Sequence, residues 1–339
     1  MTPGDVTCPM PIAQDFPRPS RAERRMSNCC PRRTGRTEPM TVTTGAIGVT
    51  ASVEGGVATL VLSNPLRKNA LTVQMWADLA TAVQELDARA DVRVMVIRGA
   101  DGNFSSGLDL AYLIEADLTA DSTIDPATVT SPAELAITRA NTPVIAVIEG
   151  HCLGGGALVA IAADIRIAST SARLSLPPSK LGVVYPASSI RYLVALIGPS
   201  RAKLLLLTAE TLDAAGALAM GLVDRVVPAE GLDEEIRAIT RAISRGSALS
   251  QVATKRLVEA CADRPGELDS ERNRWHSLSL SSGELAEGIA SFVERRKPIF
   301  GWSPGKDAPA RHVAADPETD VPSAVGEHVA DLDVRPTTG

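Results

Sequence analysis

Aromatic residues are scarce in this chain, and its charge balance is acidic. Only 3% of the 339 residues are Phe, Trp or Tyr, and the formal net charge is −6. Proteins that bind nucleic acid use basic stripes and stacking rings, so we predict no nucleic-acid partner. No run of about 18 apolar residues occurs, so we also predict no membrane span. The hydrophobic fraction of 45% is nevertheless enough for a large core.

Cysteine is also sparse in the patterned part of the chain. Three of the five cysteines precede residue 40, which leaves Cys152 and Cys261. They form no Cys-x-x-Cys pair, and no histidine stands at a metal-ligand spacing. The sequence therefore predicts a cytoplasmic protein without a metal site.

Both ends of the chain are rich in proline and lack apolar periodicity. Residues 1–39 contain seven Arg and seven Pro with a charge of +3, whereas residues 303–339 have a charge of −4. We expect a disordered N-terminal extension at 1–39 and a disordered acidic tail at 303–339, on either side of one folded domain at 40–302. The prolines at 1–39 argue against a transit peptide. We expect instead that translation starts at Met40, just before the first patterned segment, so that residues 1–39 would not be part of the native protein.

The segment 40–302 has the pattern of an α/β domain. Short β-branched runs predict strands at 57–63, 93–98, 143–149, 164–169 and 222–227. An amphipathic helix is predicted at 72–89, with Thr72 as its N-cap. After Pro199, helices are predicted at 201–209, 213–220, 232–244, 248–262, 267–281 and 284–296. The polar segment 113–132 is interpreted as a long loop.

Two glycine-rich turns each follow a predicted buried strand. The first, at 104–110, is Phe-Ser-Ser-Gly-Leu-Asp-Leu, and the second ends in three glycines at 154–156. Glycine lets backbone N–H groups approach a ligand without a Cβ in the way. The three glycines also begin a predicted helix, whose first N–H groups have no intrahelical acceptor. Facing each other, two such turns would form an oxyanion hole for a carbonyl that gains negative charge.

Several other catalytic patterns are missing. The glycines at 154–156 lack the dinucleotide-binding spacing, and neither a Walker A motif nor a Gly-x-Ser-x-Gly elbow occurs. His151 and Cys152 are consecutive on an extended segment, so their side chains should point to opposite faces. A Cys–His dyad is therefore disfavoured.

A longer set of short segments, taken in their order and spacing along the chain, is highly specific for one protein superfamily. The segments are 64–71, 104–110, 143–150, 154–156, 163–168, 181–184, 213–214, 221–223, 287–289 with Phe292, and 297–298. From about 49 to 300, the chain resembles the crotonase, or enoyl-CoA hydratase/isomerase, superfamily. The resemblance implies an α/β crotonase (ClpP/crotonase-like) fold of repeated ββα units. It also implies that a helical part at 200–302 assembles trimers, often paired into hexamers.

The same resemblance implies a site for an acyl-CoA thioester. The N–H groups of Leu108 and Gly155 would hold the thioester oxygen, and Arg67 or Lys68 would lie near the CoA phosphates, with further cations at 295–297. The other implied substrate-binding positions are Ala70, Ser106, Gly107, Asp109, Leu110, Gly154, Leu158 and Pro178. Coenzyme A would be part of the substrate, with no separate cofactor. The carboxylates of Asp109 and Asp164 would be structural acceptors of backbone N–H groups.

The mechanism departs from that of the hydratase in this family. The hydratase uses two glutamates, and the matching positions here are Leu158 and Pro178. Neither side chain transfers a proton, which disfavours ordinary hydration and the isomerase route. Glu115, Asp117 and Glu134 are acids that could replace the missing pair, provided that one comes within about 3 Å of the proton it takes.

Two alternatives to a hydratase or isomerase remain open. One is a decarboxylase of a methylmalonyl- or ethylmalonyl-type CoA, because loss of CO₂ forms an enolate without a base. Tyr185 matches a tyrosine of the methylmalonyl-CoA decarboxylase branch, although that branch has His where this chain has Leu108. The other alternative is a catalytically silent protein that binds acyl-CoA.

Overall fold

A computed structural model describes residues 47–111, 126–263 and 265–304. The predicted N-terminal extension, the possible start at Met40 and nearly all of the predicted acidic tail lie outside these residues, and so do Glu115 and Asp117. Within the described part, no helix is long and apolar enough to cross a membrane.

Nine strands form two sheets in the described part of the chain. They are β1 (Gly48–Glu54), β2 (Val57–Ser63), β3 (Val94–Gly99), β4 (Val144–Ile148), β5 (His151–Leu153), β6 (Ile165–Ser169), β7 (Arg173–Ser175), β8 (Thr211–Asp213) and β9 (Arg225–Val227). The larger sheet has the order β1-β2-β3-β4-β6-β9 and is parallel except for the β1–β2 hairpin. The smaller sheet has the order β5-β7-β8.

Ten α-helices pack on the two faces of the larger sheet and make up most of the C-terminal part of the described chain. They are α1 (Val73–Asp87), α2 (Pro126–Arg139), α3 (Gly155–Ala162), α4 (Pro178–Leu181), α5 (Ala187–Thr208), α6 (Ala214–Met220), α7 (Leu232–Arg245), α8 (Ala248–Asp263), α9 (Leu268–Ser281) and α10 (Glu284–Val293). The mixed α/β fold and the helical C-terminal region confirm the predicted fold class.

Alternation along the central strands separates two hydrophobic cores. Met95 and Ile97 of β3 lie in the larger core, whereas Val94 and Val96 lie in a second core with Ile236 of α7. Because successive side chains of a strand point to opposite faces, one strand serves both cores. The central strands are thus buried on both sides, as is usual for parallel sheets.

The helix α1 forms where the sequence predicts it. Its N-cap is Thr72, whose side-chain oxygen accepts a hydrogen bond from the N–H of Met75 at 3.2 Å. The buried face includes Trp76, Leu79 and Val83, which are spaced as the sequence pattern requires. This helix packs on the sheet and brings Trp76 against Gly155 in the second glycine turn.

The prediction of a polar loop at 113–132 is wrong from residue 126 onward. There the chain forms α2, which packs against α1 and buries Ala133, Ala136 and Ile137. Burial of these side chains outweighs the weak helix propensity of a segment rich in Thr, Ser and Pro. The first part of the predicted loop lies outside the described residues.

The long helix α5 was only partly predicted. The predicted helix at 201–209 is its second half, and the first half begins at Ala187. Between the halves, Gly198 has φ 79° and ψ 161°, and Pro199 follows. Glycine adopts this positive φ without a steric penalty, and proline is suited to the first turn of the helical segment that follows.

Candidate active site at two glycine turns

The two glycine turns lie at the same edge of the larger sheet. β3 and β4 are parallel neighbours, so the segments that leave their carboxyl ends meet. The N–H of Ser105 donates to the carbonyl of His151 at 2.8 Å, and the N–H of Leu153 donates to the carbonyl of Ser105 at 2.9 Å. These hydrogen bonds join the turns as a short parallel ladder, which holds them in a defined relative position.

Gly107 permits this close approach. Its φ of +103° is disfavoured for any residue with a side chain, and a methyl group there would lie 2.8 Å from the carbonyl oxygen of Leu153. The same methyl group would lie 3.1 Å from the amide nitrogen of Gly155. Only glycine therefore lets the first turn reach the beginning of α3.

The N–H groups of Leu108 and Gly155 lie close together. A methyl group on Gly155 would be 3.3 Å from the amide nitrogen of Leu108. The residues beside Leu108 are bound to Leu71, through Leu71 N–H to the Gly107 carbonyl at 2.7 Å and Asp109 N–H to the Leu71 carbonyl at 2.9 Å. Neither the Leu108 nor the Gly155 N–H donates to any residue that the structure describes.

The N-terminus of α3 adds a positive electrostatic potential near the N–H groups of Leu108 and Gly155. Gly155 is the first residue of α3, and its N-cap Gly154 has φ 50° and ψ −119°. The first N–H groups of a helix lack intrahelical acceptors, and the helix dipole is positive at that end. Two neighbouring N–H donors at a helix N-terminus suit an oxygen atom that becomes negative.

Trp76 forms the floor of the site, which the sequence pattern did not indicate. It was predicted only as an apolar position of α1, and it is completely buried. Its Cζ2 atom would lie 2.9 Å from a methyl group on Gly155. The indole ring therefore packs against Gly155 at the beginning of α3.

The implied phosphate-binding residues have partners within the protein. Arg67 pairs with the carboxylate of Asp109, yet half of its side chain, 51%, remains exposed. Lys68 lies 3.1 Å from Nε2 of His151, measured from its Nζ atom. The two side chains therefore point to different neighbours, and Arg67 is the one attached to the first glycine turn.

His151 and Cys152 point in opposite directions, as the extended backbone predicts. Nδ1 of His151 lies 2.9 Å from the side-chain oxygen of Asn103, while Cys152 is fully buried in the larger core. Partial burial, Lys68 and Arg173 lower the pKa of His151. Burial raises the pKa of the Cys152 thiol far above its usual range, so the thiol is not a nucleophile.

The carboxylates of Asp109 and Asp164 both accept backbone hydrogen bonds. Asp109 accepts from the N–H of Ala111 at 3.1 Å, and Asp164 accepts from the N–H of Val144 at 2.8 Å. Asp164 also pairs with Lys255 at 2.8 Å. These contacts fit the structural roles that the resemblance implies. Among the described residues, no group of three or more His, Cys, Asp or Glu side chains could hold a metal ion.

The remaining predicted positions surround the turns to different extents. Ser106 links the first turn to the preceding loop, since its hydroxyl donates to the carbonyl of Arg67 at 2.7 Å. Ala70 is buried, while Leu110 is 47% exposed at the outer rim. Leu158 is buried on α3, and Pro178 begins the short helix α4.

Tyr185 reaches the second turn from the segment between α4 and α5. Its hydroxyl oxygen lies 3.8 Å from the position of a methyl group on Gly154. Burial, with a contribution from the carboxylate of Glu134, raises the pKa of Tyr185 to about 12. The phenol is therefore neutral and able to donate a proton throughout the physiological pH range.

Glu134 is the described acid whose environment is most unusual. It is only 1% exposed on α2, and Ser189 donates to its Oε2 at 2.5 Å. Burial raises the pKa of this carboxyl, and the hydrogen bond from Ser189 offsets part of the effect. The sequence showed an acid at this position but not that tertiary packing buries it.

Comparisons with known proteins find related sequences and similar structures. Residues 52–303 match the model of a family described as enoyl-CoA hydratase/isomerase. A probable enoyl-CoA hydratase of Mycobacterium bovis is 35% identical over 248 residues, which cover 72% of this chain and 94% of that protein. A crotonyl-CoA hydratase of Syntrophomonas wolfei is 30% identical, with 73% and 95% covered. The crystal structure of an enoyl-CoA hydratase/isomerase family protein from Hyphomonas neptunium superposes with a TM-score of 0.69 at 34% identity, with 75% of this chain and 97% of that chain covered.

Proposed function

The chain belongs to the enoyl-CoA hydratase/isomerase family, and on that premise we propose that it processes an acyl-CoA thioester by stabilising its enolate. The thioester oxygen would bind between the N–H groups of Leu108 and Gly155. As the enolate forms, negative charge moves to that oxygen, where both donors and the positive end of α3 interact with it more strongly than with the neutral thioester.

The proximity of the two amides is the observation that carries this proposal. A methyl group on Gly155 would lie only 3.3 Å from the amide nitrogen of Leu108, and on this ground we propose that one oxygen accepts from both N–H groups. Both residues are half-buried, which leaves them accessible from one side. Loss of one donor of this kind typically lowers kcat by about 10²–10³-fold.

Binding of the CoA part would use cations at the rim. Arg67 remains half-exposed although it pairs with Asp109, so it can still reach a phosphate. Its guanidinium offers several N–H donors, and one can bind Asp109 while others bind the ligand. We propose Arg67 as the main phosphate contact, because Lys68 lies against His151 instead.

Decarboxylation of a malonyl-type CoA is the second candidate reaction. The bond between Cα and the carboxylate carbon would break, its electron pair would pass to the thioester oxygen, and CO₂ would leave. This step needs no base, and neither Leu158 nor Pro178 supplies one. The position of the Tyr185 hydroxyl, 3.8 Å from a methyl group on Gly154, favours this candidate because a proton donor then lies beside the enolate.

One assay separates the possible reactions. The purified full chain is incubated with crotonyl-CoA, methylmalonyl-CoA or ethylmalonyl-CoA, and loss of enoyl absorbance and release of CO₂ are followed. CO₂ release without hydration supports the decarboxylase, and hydration at rates typical of the family contradicts our interpretation of Leu158 and Pro178. Tight binding of acyl-CoA without turnover of any substrate overturns the proposed enzyme and identifies a binding protein.

We also propose that the chain self-associates through its C-terminal helix. α10 exposes a set of large apolar side chains, namely Leu285 at 40%, Ile289 at 57%, Phe292 at 85% and Val293 at 74%. An exposed apolar surface of this kind favours association with another protein surface. Light scattering of the purified chain would give the mass of a trimer or hexamer if the proposal is correct, and that of a monomer if it is wrong.

A further inference from the structure

We propose that Glu134 is a positioning residue for proton transfer, which it controls through the hydroxyl of Tyr185. The inference rests on the proposed function, since it concerns the proton that the enolate receives. Glu134 stands on α2, and Tyr185 lies two residues before the start of α5.

The contact between α2 and α5 places the carboxyl at the N-terminal end of α5. Ser189 lies in the first turn of α5, four positions after Tyr185, and its hydroxyl donates to Oε2 of Glu134 at 2.5 Å. One helical turn further along α2, the hydroxyls of Thr138 and Tyr192 lie 3.3 Å apart. The contact between Ser189 and Glu134 holds the carboxyl at this end of α5. The contact between Thr138 and Tyr192 is a separate one, which involves neither the Glu134 carboxyl nor the Tyr185 hydroxyl.

The second oxygen of the carboxyl is bound less firmly than the first. Oε1 of Glu134 is buried and makes no hydrogen bond of normal length and angle within the described residues, although the hydroxyl of Thr130, one turn earlier on α2, lowers the pKa of this carboxyl. A buried polar atom without a partner costs about 1–3 kcal/mol, so such an atom in a packed core calls for an explanation. A role in holding or passing a proton is such an explanation, because it requires an oxygen that is not already firmly bound.

Tyr185 connects this buried carboxyl with the thioester site. Its ring packs against the larger core, and its hydroxyl lies beside Gly154, the residue before the Gly155 donor. Ser189, which binds Oε2 of Glu134, follows Tyr185 by four positions, so the carboxyl and the phenol both lie at the N-terminal end of α5. In its ionised form the carboxyl also contributes to the raised pKa of Tyr185.

The proposed step balances without an additional reactant. The O–H bond of Tyr185 breaks as a C–H bond forms at Cα of the enolate, and the electron pair stays on the phenolic oxygen. The protonated carboxyl of Glu134 returns a proton to this oxygen, directly or through one water molecule. Solvent then protonates Glu134 again. Burial favours the neutral form of Glu134, which is the form that this step requires.

The first test measures how Glu134 affects the ionisation of Tyr185, and it needs no substrate turnover. The full chain is labelled with ¹³Cζ-tyrosine, and the Tyr185→Phe variant identifies the Tyr185 signal among the three tyrosines. In Glu134→Gln we expect Tyr185 to ionise at lower pH than in the wild type, because a negative charge near the phenolate is lost. The Thr138→Val variant, altered one turn further along α2, serves as the control and should leave this titration unchanged. An unchanged titration in Glu134→Gln would overturn the coupling.

The second test uses the substrate that the wild type turns over. We expect Glu134→Gln to lower kcat by about tenfold or more with little change in KM, since general acid–base groups contribute about 10²–10⁴-fold. The double variant with Tyr185→Phe should be no slower than Tyr185→Phe alone, because both residues act on one proton. Glu134→Asp, which keeps a carboxyl, should retain more activity than Glu134→Gln.

The outcomes of the second test separate the two proposals. If the wild type is active and Glu134→Gln keeps full kcat, the role of Glu134 is overturned but the proposed function is not. The same holds if the losses of kcat in Glu134→Gln and Tyr185→Phe multiply in the double variant. A wild type that binds acyl-CoA but turns over no substrate overturns the proposed enzyme as well. Thr138→Val should keep the wild-type kcat, and a loss there equal to that of Glu134→Gln would mean that packing of α2 explains both.

Discussion

The guanidinium of Arg67 pairs with the carboxylate of Asp109, although 42 positions separate them in the chain. Asp109 directly follows Leu108, whose N–H is one of the two proposed oxyanion donors. The ion pair therefore ties a rim cation to the first glycine turn. It also gives Arg67 two possible roles, one in binding phosphate and one in holding the turn, and kinetics can distinguish them.

Replacement of Arg67 by alanine should weaken binding of substrates that carry the CoA phosphates. We expect KM for an acyl-CoA to rise about tenfold, because hydrogen bonds to charged groups contribute about 1.5–3 kcal/mol. KM for the matching acyl-pantetheine, which lacks these phosphates, should stay the same. Arg89→Ala, which breaks an exposed pair with Asp91, is the control and should change neither value. Equal effects on both substrates would instead assign Arg67 to holding the turn.

A methyl group on Gly155 should disrupt the oxyanion site. In Gly155→Ala the new group would lie 3.3 Å from the Leu108 nitrogen and 2.9 Å from the ring of Trp76. We expect kcat to fall by about 10²-fold or more, because the clash with the buried Trp76 ring shifts the Gly155 N–H away from the Leu108 N–H, so that one oxygen can no longer accept from both. Gly231→Ala, at a position with no neighbouring atom within 4 Å, should keep full activity. Wild-type kcat in Gly155→Ala would refute the proposed donor pair.

The free energy of unfolding should decrease as the pH decreases, and His151 should contribute to this dependence. Its folded-state pKa is lowered, so below about pH 6.5 the unfolded chain binds more protons at this residue than the folded chain does. Stability from this residue is therefore complete above about pH 6.5 and is lost as the pH falls towards the folded-state pKa. Thermal melting between pH 5 and 8 should show a smaller slope in His151→Gln. Lys68→Gln should also reduce the slope, since Lys68 helps to lower this pKa.

Glutamates at 158 and 178 should introduce hydration if their absence is what prevents it. We expect the double variant Leu158→Glu/Pro178→Glu to hydrate crotonyl-CoA faster than the wild type. Each single variant should gain less, because the reaction uses two carboxyls. A carboxyl at the buried position of Leu158 will lower stability, so circular dichroism should accompany the assay. A folded double variant that binds crotonyl-CoA without hydrating it would contradict our interpretation of these positions.

Local patterns predicted much of the fold. The cap at Thr72 and the apolar spacing after it predicted α1, because both depend on residues within a few turns of one helix. The central strands were predicted because parallel strands buried on both faces are continuously apolar. The helix at 126–139 was not predicted, since burial against α1 stabilises it more than its own residues do.

The composition and local spacing of the chain were sufficient for the α/β class, the glycine turns and the family resemblance, because glycine and hydrophobic period act over short stretches of backbone. The partners of each site residue depended on strand register and helix packing instead. The proximity of the Leu108 and Gly155 amides, the pairing of Arg67 with Asp109 and the hydrogen bond of Ser189 to Glu134 each join residues more than 40 positions apart. Such distances follow from the packing of the whole domain, in which small shifts of one element change every contact with its neighbours.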